Sequence, residues 1–380
     1  MQNLRRFYAL DSFRGVCALS VVVYHLHAIG TFTEFGFFRN ADLFVEFFFV
    51  LSGFVLAHTY GAKKNIDFGG FFIARTFRLF PLHLTMLAVF IALEFGKLMA
   101  YHKGFAFNNE PFTGAYAPSE IIPNMLLLQS WIPQAQSLSF NYPAWSISVE
   151  YYMYMIFAAI LLFSFKYRKL VWGAISVVAF LLICMQSVFL TESVQRGLSC
   201  FFAGTLSYYL FNMIKENIKP TFLLMTTLEI IFVVLMVIVL AYSFEYQSIV
   251  ASVLFCFVVV LFAFDAGAVS LLLKSRAFVY LGKLSYSIYL THAAILFFLI
   301  SMLMVVQKFS GRNVVPMVDG QRYIDLGSSL ANNLMVLLVL GAVIAFSVLT
   351  HKYIEVRGQN FGKLIANKRM AKHQAQLLKS

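Results

Sequence analysis

Charged residues are scarce in this sequence. Only 12% of the 380 residues are Asp, Glu, Lys or Arg, against about 25% in an ordinary soluble domain. Hydrophobic residues make up 61%, and apolar stretches of about 20 residues, the length that spans a bilayer, recur along the whole chain. Because a soluble domain could not bury so many such stretches, the sequence predicts an all-α, polytopic membrane protein.

Cysteine is also rare, and internal repeats, low-complexity tracts and long soluble insertions are lacking. The four cysteines show neither a disulfide framework nor the spacing of metal ligands, and all fall in predicted spans: Cys17, Cys184, Cys200 and Cys256. We therefore expect one membrane domain over residues 1–357, with no metal site and no bound cofactor.

The apolar stretches predict about ten transmembrane helices. We place them at 9–29, 42–60, 80–100, 145–165, 170–190, 195–214, 221–243, 247–265, 285–306 and 328–350. The first could be mistaken for a secretory signal peptide. However, Asp11, Arg14 and His25 interrupt it, and a cleaved leader has no need of them, so we predict a retained first helix in a multi-pass protein of the cell inner (cytoplasmic) membrane.

The distribution of positive charge sets the predicted orientation. The net charge is +12, and most Lys and Arg flank spans on the side that holds both termini, which the positive-inside rule assigns to the cytoplasm. The exceptions are Arg39, Lys97, Lys103, Arg196, Lys308, Arg312 and Arg322. The basic tail, 358–380, is then a cytoplasmic, lipid-facing segment. Nucleic-acid binding is not expected, because no stacking surface alternates with these charges.

Two connections on the predicted outer face stand out. Residues 101–144 contain a short apolar run, 121–128, bracketed by prolines. It is too short to span and fits a re-entrant or interfacial element. Residues 307–327 form the second connection. At the end of the third span, Glu94 and Lys97 are expected to snorkel towards water.

Ionisable residues inside predicted spans are the main functional candidates, because charge in a bilayer is costly and usually faces a partner or a cavity. Arg14 and His25 are about 16 Å apart along one helix face. Counting along the spans places His25, Glu46 and Glu150 in an outer layer. A histidine beside a carboxylate is the minimum for a general base.

The same count places a second, inner layer near the cytoplasmic surface. It holds Arg14 and His292, and also Arg75 and Arg78, one turn apart just before the third span. Paired guanidinium groups suit phosphate and pyrophosphate. A donor with a phosphate-rich head and a long flexible arm, such as a coenzyme A thioester, would join the two layers.

Five separated motifs resemble acyltransferase family 3, the integral membrane acyltransferases that modify envelope glycans and some small molecules. The resemblance runs from Leu10 to about Arg357. In order, the motifs are Asp11-Ser-Phe-Arg14-Gly15 with His25; Val45 to Phe54; Arg75-Thr-Phe-Arg78-Leu-Phe-Pro81; Trp145-Ser146 with Glu150; and Ser285-Tyr286 with Tyr289 and His292.

The resemblance implies a ten-helix core that moves an acyl group, usually acetyl, from cytoplasmic acyl-CoA to a hydroxyl on the far side. It carries over Arg14 and His25 as the essential pair, with His25 as the base, and Arg75 and Arg78 as donor-binding arginines. His292 is a further donor-binding candidate, and Glu150, Ser146, Tyr286 and Asp11 are additional candidates. The expected partners are the donor, a glycan or small-molecule acceptor, and the bilayer.

Two departures from the family pattern matter. Glu46 stands where Asp is usual, so its pairing with His25 is open. Many relatives add a soluble esterase-like domain at the C-terminus, and we expect none after the last predicted helix.

Several alternatives remain. Asp11 could be a helix N-cap, and Ser52 and Gly53 could serve close helix approach. Transfer could pass through an acyl-enzyme on His25. The competing class is a transporter or flippase of a lipid-linked or anionic substrate, which would share the intramembrane charges. It is disfavoured by the lack of repeats and of paired broken helices.

Overall fold

The computed structural model describes residues 5–63, 66–105, 107, 109–163 and 166–377. The chain divides into two compact units. The first unit comprises Met1–Thr59 and Ser199–Ser347, and the second comprises Tyr60–Leu198 and Val348–Ser380. The last three residues of the predicted tail lie outside the described residues.

Helices dominate the described chain. They are α1 Tyr8–His25, α2 Gly36–Arg39, α3 Phe44–Tyr60, α4 Phe68–His102, α5 Ile121–Met125, α6 Ala144–Phe163, α7 Arg168–Cys184, α8 Glu192–Asn217, α9 Phe222–Ala241, α10 Gln247–Phe262, α11 Ala268–Leu273, α12 Arg276–Ser310, α13 Ser329–Thr350 and α14 Val356–Leu377. Short 3₁₀ turns occupy Phe32–Glu34, Ala41–Leu43, Gly114–Tyr116 and Pro118–Glu120, and a π-helical turn, His351–Glu355, joins α13 to α14.

The all-helical membrane architecture agrees with the sequence. Each of the ten predicted spans overlaps one long helix. Among the described residues, six helical segments are long and apolar enough to cross a bilayer: Ala41–Tyr60, Phe68–His102, Ala144–Leu162, Phe222–Ala241, Arg276–Ser310 and Ser329–Ala371. The count of ten crossings and the cytoplasmic placement of the termini stay predictions.

Two helices begin earlier than predicted. The third predicted span begins at residue 80, whereas α4 begins at Phe68, so Arg75 and Arg78 lie inside a helix rather than in a connection before it. The ninth begins at 285, whereas α12 begins at Arg276. Both early starts change the depth at which charged side chains lie.

Glycines bring helix backbones into contact in the first unit. A Cβ on Gly53 of α3 would collide with the carbonyl oxygen of Phe201 on α8, and one on Gly204 of α8 would collide with that of Val50. Small residues are what allow such close approach in membrane helices. The predicted packing role of Gly53 is confirmed.

In the second unit, α14 packs against the first half of α4 and runs antiparallel to it. Gly358 lies against Pro81, and Gly362 lies against Phe77. Farther along, Arg369 pairs with Asp67 at 3.8 Å. The predicted basic tail is therefore a helix over its described length, and it is packed on α4 at these points.

The described residues between α4 and α6 form a folded cap on α4. The apolar run predicted as an interfacial element contains α5, where Ile122 and Met125 are exposed. The backbone carbonyl of the buried Asn124 accepts a hydrogen bond from the His83 ring of α4 (2.7 Å). The side-chain amide of Asn124 donates a hydrogen bond to the Ser139 hydroxyl (2.7 Å). These bonds fix the cap to the helix.

The prediction that Glu94 and Lys97 snorkel is wrong. Glu94 is 1% exposed and Lys97 is 9% exposed. The Lys97 ammonium lies 3.4 Å from the Glu94 carboxylate, which also accepts the Phe112 backbone N–H at 3.0 Å. The cap covers this part of α4, so the two charges pair instead of reaching water.

The connection 307–327 contains a small hairpin in the first unit. Strands β1 (Met317–Val318) and β2 (Gln321–Arg322) pair antiparallel, with Met317 opposite Arg322. Ile324 then pairs with the chain after α1, donating its N–H to the His27 carbonyl at 2.9 Å. The hairpin is thereby tied to the end of the helix that carries His25.

Candidate functional site

A close crossing of α1 and α12 builds the centre of the first unit. A Cβ on Gly15 would lie 2.6 Å from the backbone carbonyl carbon of Leu281, and one on Gly282 would meet the carbonyl oxygen of Asp11. The two helices run parallel from this point. His25 and His292 each follow about three helical turns later, which brings their rings together.

The two imidazole rings are in contact. His292 Nε2 lies 3.2 Å from His25 Nδ1, and the ring centroids are 5.1 Å apart at an interplanar angle of 33°. His292 is fully buried, while His25 is partly exposed. A hydrogen bond to one ring nitrogen of a histidine determines the state of the other nitrogen, so contact with His292 can set how His25 is protonated.

The predicted inner-layer position of His292 is wrong. The prediction counted depth from residue 285, which puts His292 only one to two turns into its span. Because α12 begins at Arg276, His292 lies about 24 Å along the helix. His292 therefore lies beside His25.

Aromatic rings border the histidine pair. The Tyr24 ring lies 4.7 Å from that of His25 in an edge-to-face arrangement, and the Tyr289 ring lies 6.1 Å from that of His292. Tyr289 in turn meets Phe48 of α3. These rings restrict the room in which the imidazoles can rotate. Tyr286, one turn before Tyr289 on α12, is buried.

Glu46 is buried on α3, with 1% of its surface exposed. One carboxylate oxygen accepts a hydrogen bond from the Ser248 hydroxyl of α10 at 3.1 Å. Its predicted pairing with His25 stays a prediction. Ser248 carried no signal in the sequence, since a serine one residue into an apolar helix has many ordinary uses.

Two candidates at the start of α1 have different surroundings. Asp11 is not an N-cap: the helix begins at Tyr8, and Asp11 lies in its first turn and pairs with Arg6 at 2.7 Å. Arg14 is half-buried. Within the described part of the chain its side chain has no hydrogen-bond or ion-pair partner, so its positive charge is available to an anion.

The second unit contains an arginine cluster on α4. The guanidinium carbon of Arg75 lies 5.3 Å from the Phe71 ring centroid and 5.1 Å from that of Tyr154 on α6. Its side chain also bonds to Tyr60, and Arg78 is close enough to repel it. Among the described residues no carboxylate pairs with Arg75. Two neighbouring guanidinium groups, one of them lying against aromatic rings, make this part of α4 basic.

Glu150 joins this cluster, which corrects its predicted separation from the arginines. Its carboxylate accepts a hydrogen bond from the Tyr154 hydroxyl, and the Tyr154 ring faces Arg75. Tyr154 was not predicted from the sequence, although its position one turn after Glu150 could have indicated it. Ser146, nearby on α6, donates its hydroxyl to the Pro143 carbonyl at 3.2 Å.

Comparison with known proteins identifies the family. A family model for acyltransferase family 3, described as an acyltransferase domain, matches residues 7–352. The chain belongs to acyltransferase family 3. The match runs from the residue before α1 into the π-helical turn, so it includes every candidate residue named above. No solved structure matches the chain.

Three relatives give narrower likenesses. Protein 2 in the picA locus of Rhizobium radiobacter is 33% identical over 162 residues, 40% of this chain and 81% of that protein. Acyltransferase MdmB of Streptomyces mycarofaciens is 32% identical over 115 residues, 30% of this chain and 26% of that protein. The putative peptidoglycan O-acetyltransferase YrhL of Bacillus subtilis (strain 168) is 26% identical over 199 residues, 48% of this chain and 28% of that protein.

The matches to MdmB and YrhL span about a quarter of the length of those two relatives. Family membership and the apolar helices together make this acyltransferase a multi-pass membrane protein.

Proposed function

We propose that this protein is a membrane O-acyltransferase, and most simply an O-acetyltransferase. It moves an acyl group from cytoplasmic acyl-CoA to a hydroxyl of a cell-envelope glycan or a similar acceptor, in the cell inner membrane. The observation that carries the proposal is the partly exposed His25, held against His292 in a member of an acyltransferase family.

The proposed step is one direct transfer. His25 Nε2 takes the proton of the acceptor hydroxyl while that oxygen attacks the thioester carbonyl. The new C–O bond forms, the C–S bond breaks, and the coenzyme A thiolate leaves and recovers the proton from His25. A positioned base of this kind contributes about 10²–10⁴-fold to a rate. Arg14 and Glu46 are proposed as further catalytic residues.

The arginine cluster is proposed as the donor site. Arg75 and Arg78 would bind the phosphates of coenzyme A, and Tyr154 with Glu150 would hold the Arg75 side chain in place. Arginine suits this role because its planar fork binds phosphate oxygens in pairs. The lack of a carboxylate partner for Arg75 among the described residues supports the proposal, since the charge is not already neutralised.

A hydroxyl acceptor is supported by the relative whose name describes a putative peptidoglycan O-acetyltransferase. Hydroxyls of lipopolysaccharide, capsule, peptidoglycan and small molecules share the chemistry that His25 would act on. The proposed acceptor is therefore a hydroxyl group, and the proposed donor is acyl-CoA.

Donor binding can be tested by thermal unfolding of the purified protein in detergent, titrated with acetyl-CoA. A ligand that binds only the folded state adds about 2.7 kcal/mol at 100 times its dissociation constant. We expect a saturable shift for the wild type and a weakened one for Arg75→Ala/Arg78→Ala. The control is Lys352→Ala/Arg357→Ala, which removes the same charge from exposed positions and should bind normally.

The absence of any shift in the wild type would contradict the donor assignment. In that case, counterflow of a labelled anionic substrate without covalent change would favour transport instead. Direct transfer is tested by rapid quench with labelled acetyl-CoA before acceptor is added. Label on the protein at that stage would replace direct transfer by an acyl-enzyme.

A further inference from the structure

The proposed base, His25, needs one defined nitrogen to accept a proton, and its neighbour on α12 can select that nitrogen. We propose that His292 is a positioning residue whose Nε2 accepts the Nδ1–H of His25, so that His25 presents Nε2 as the basic atom. This inference rests on the proposed function of His25, and its test separates the two.

The tautomer of His292 follows from its own helix. Its Nδ1 lies 3.3 Å from the Ile288 carbonyl oxygen, one turn earlier. A carbonyl oxygen can only accept a hydrogen bond, so the favourable tautomer has its hydrogen on Nδ1. Neutral His292 then has a lone pair on Nε2, the atom that faces His25. Full burial of His292 favours the neutral ring.

The tautomer of His25 follows in the same way. Its Nδ1 lies 3.0 Å from the Val21 carbonyl oxygen and 3.2 Å from His292 Nε2. Both are acceptors, so a single hydrogen on His25 Nδ1 satisfies both contacts as a shared bond. When His25 and His292 are both neutral and both carry their hydrogen on Nδ1, each close contact pairs a donor with an acceptor.

The reverse arrangement is less favourable. If His292 donated from Nε2 to His25 Nδ1, the neutral rings would direct lone pairs at both the Val21 and the Ile288 carbonyl oxygens. Each ring lone pair would repel a carbonyl lone pair, and burial strengthens that repulsion. The two backbone carbonyls therefore decide the direction of the bond between the histidines.

This arrangement suits a base within a membrane. When His25 takes a proton on Nε2, its Nδ1–H becomes a charged donor, and such bonds are stronger than neutral ones. Neutral His292 accepts that bond without placing a second charge in the bilayer, where charge is expensive. Besides His292, the fields of His27 and Arg39, in the segment after α1, also reach His25.

The tautomer can be observed directly. Nitrogen NMR of the protein labelled with ¹⁵N-histidine, in nanodiscs, distinguishes protonated from unprotonated ring nitrogens, and the spectrum of His25→Gln assigns the signals by subtraction. We expect neutral His25 to be protonated at Nδ1. Protonation at Nε2 would overturn the proposal, whatever the behaviour of any variant.

Two substitutions test the acceptor role. His292→Gln can place an amide oxygen near the former Nε2, whereas His292→Leu cannot accept a hydrogen bond. We expect His292→Leu to lower the turnover of acetyl-CoA, followed as release of coenzyme A thiol, by about 10²-fold, the lower end of what a positioned base contributes. His292→Gln should recover most of the loss. KM for acetyl-CoA should be unchanged in both.

His83→Leu is the matched control, because His83 is also buried and bonds to a carbonyl, that of Asn124. It reports the general effect of losing a buried histidine. Equal losses in His292→Gln and His292→Leu, at wild-type thermal stability, would contradict the proposal. Full activity of His25→Ala would instead contradict the proposed role of His25 as the base. If His25→Ala were inactive and His292→Leu fully active, only the positioning role of His292 would be contradicted.

Discussion

His27 and Arg39 hold the chain where it leaves α1. Arg39 donates to His27 Nδ1 at 2.6 Å and to the Leu26 carbonyl at 3.2 Å, and the Tyr323 ring lies beside His27. Since α1 ends at His25, His27 lies in the connection after the helix. Partial burial, with a smaller contribution from the Arg39 charge, lowers the pKa of His27 from 6.5 to about 4.

This shift predicts a pH-dependent stability. Between pH 6.5 and about 4, His27 takes a proton in the unfolded chain but not in the folded one, so the free energy of unfolding falls as pH falls. Above pH 6.5 His27 contributes no slope. The variant His27→Asn keeps a hydrogen-bond acceptor for Arg39 but does not titrate. In this variant, the contribution of residue 27 to the slope of unfolding free energy against pH should vanish. Thermal unfolding across this range measures it, and equal slopes in both proteins would contradict the role of His27.

The buried pair of Glu94 and Lys97 makes a second prediction at the scale of residues. Glu94→Gln leaves the Lys97 charge buried without its partner and should cost about 3–5 kcal/mol of stability. Glu94→Gln/Lys97→Met removes both charges and should recover most of that loss. Denaturant unfolding of the single and double variants measures the coupling. Losses that simply add would show that the pair is not coupled.

Residue types were easier to predict than their partners. The sequence singled out His25, Arg75 and Glu46 because charge in an apolar helix requires a reason. Their neighbours depend on where helices begin and cross. An error of about nine residues in the start of α12 moved His292 to the wrong depth. Tyr154 and Ser248 were missed because tyrosine and serine are common in membrane helices for ordinary reasons.

At the scale of helices, the crossing of α1 and α12 determines whether the histidines meet. In Gly282→Ala the new methyl group would meet the Asp11 carbonyl oxygen and lie 3.0 Å from the Ser12 nitrogen. We expect the helices to separate, a loss of about 1–3 kcal/mol, and reduced acyl transfer. Denaturant unfolding and coenzyme A release measure the two effects.

Gly341→Ala supplies the control for this substitution. Gly341 lies in α13, and a methyl group added there would have no neighbouring atom within 4 Å. Alanine at this position should therefore be neutral or stabilising by up to about 1 kcal/mol. If Gly282→Ala behaved like Gly341→Ala, the close crossing would not be needed for the site.

The helices were predicted well, and their ends were not. Hydrophobic length placed a helix at each of the ten predicted spans, because an apolar stretch of bilayer length has few other uses. The start of α4 was missed because residue 80 puts Pro81 in the first turn, where proline is tolerated. In the structure Pro81 lies inside α4, and Gly358 of α14 packs on its ring. Packing of this kind, between segments far apart in the chain, produces no periodic pattern in the sequence from which the start of the helix could be predicted.

For the whole molecule, the sequence sufficed for the class of fold and for the family. Five motifs in order predicted an acyltransferase, and the family match over residues 7–352 confirms it. The cap over 101–144 and the hairpin in 307–327 could not be predicted in detail, since both are held by hydrogen bonds between segments far apart in the chain. These connections are where the choice of acceptor is expected to lie.

We propose above that His25 is the base in acyl transfer from acyl-CoA. The most direct measurement uses membrane vesicles that contain the protein, with radiolabelled acetyl-CoA on the cytoplasmic face. Label entering envelope glycan and release of coenzyme A are followed for the wild type and for His25→Ala. We expect transfer by the wild type. In His25→Ala we expect at least a ~10²-fold loss of transfer, with the acetyl-CoA thermal shift retained. Transfer at the wild-type rate by His25→Ala would contradict it.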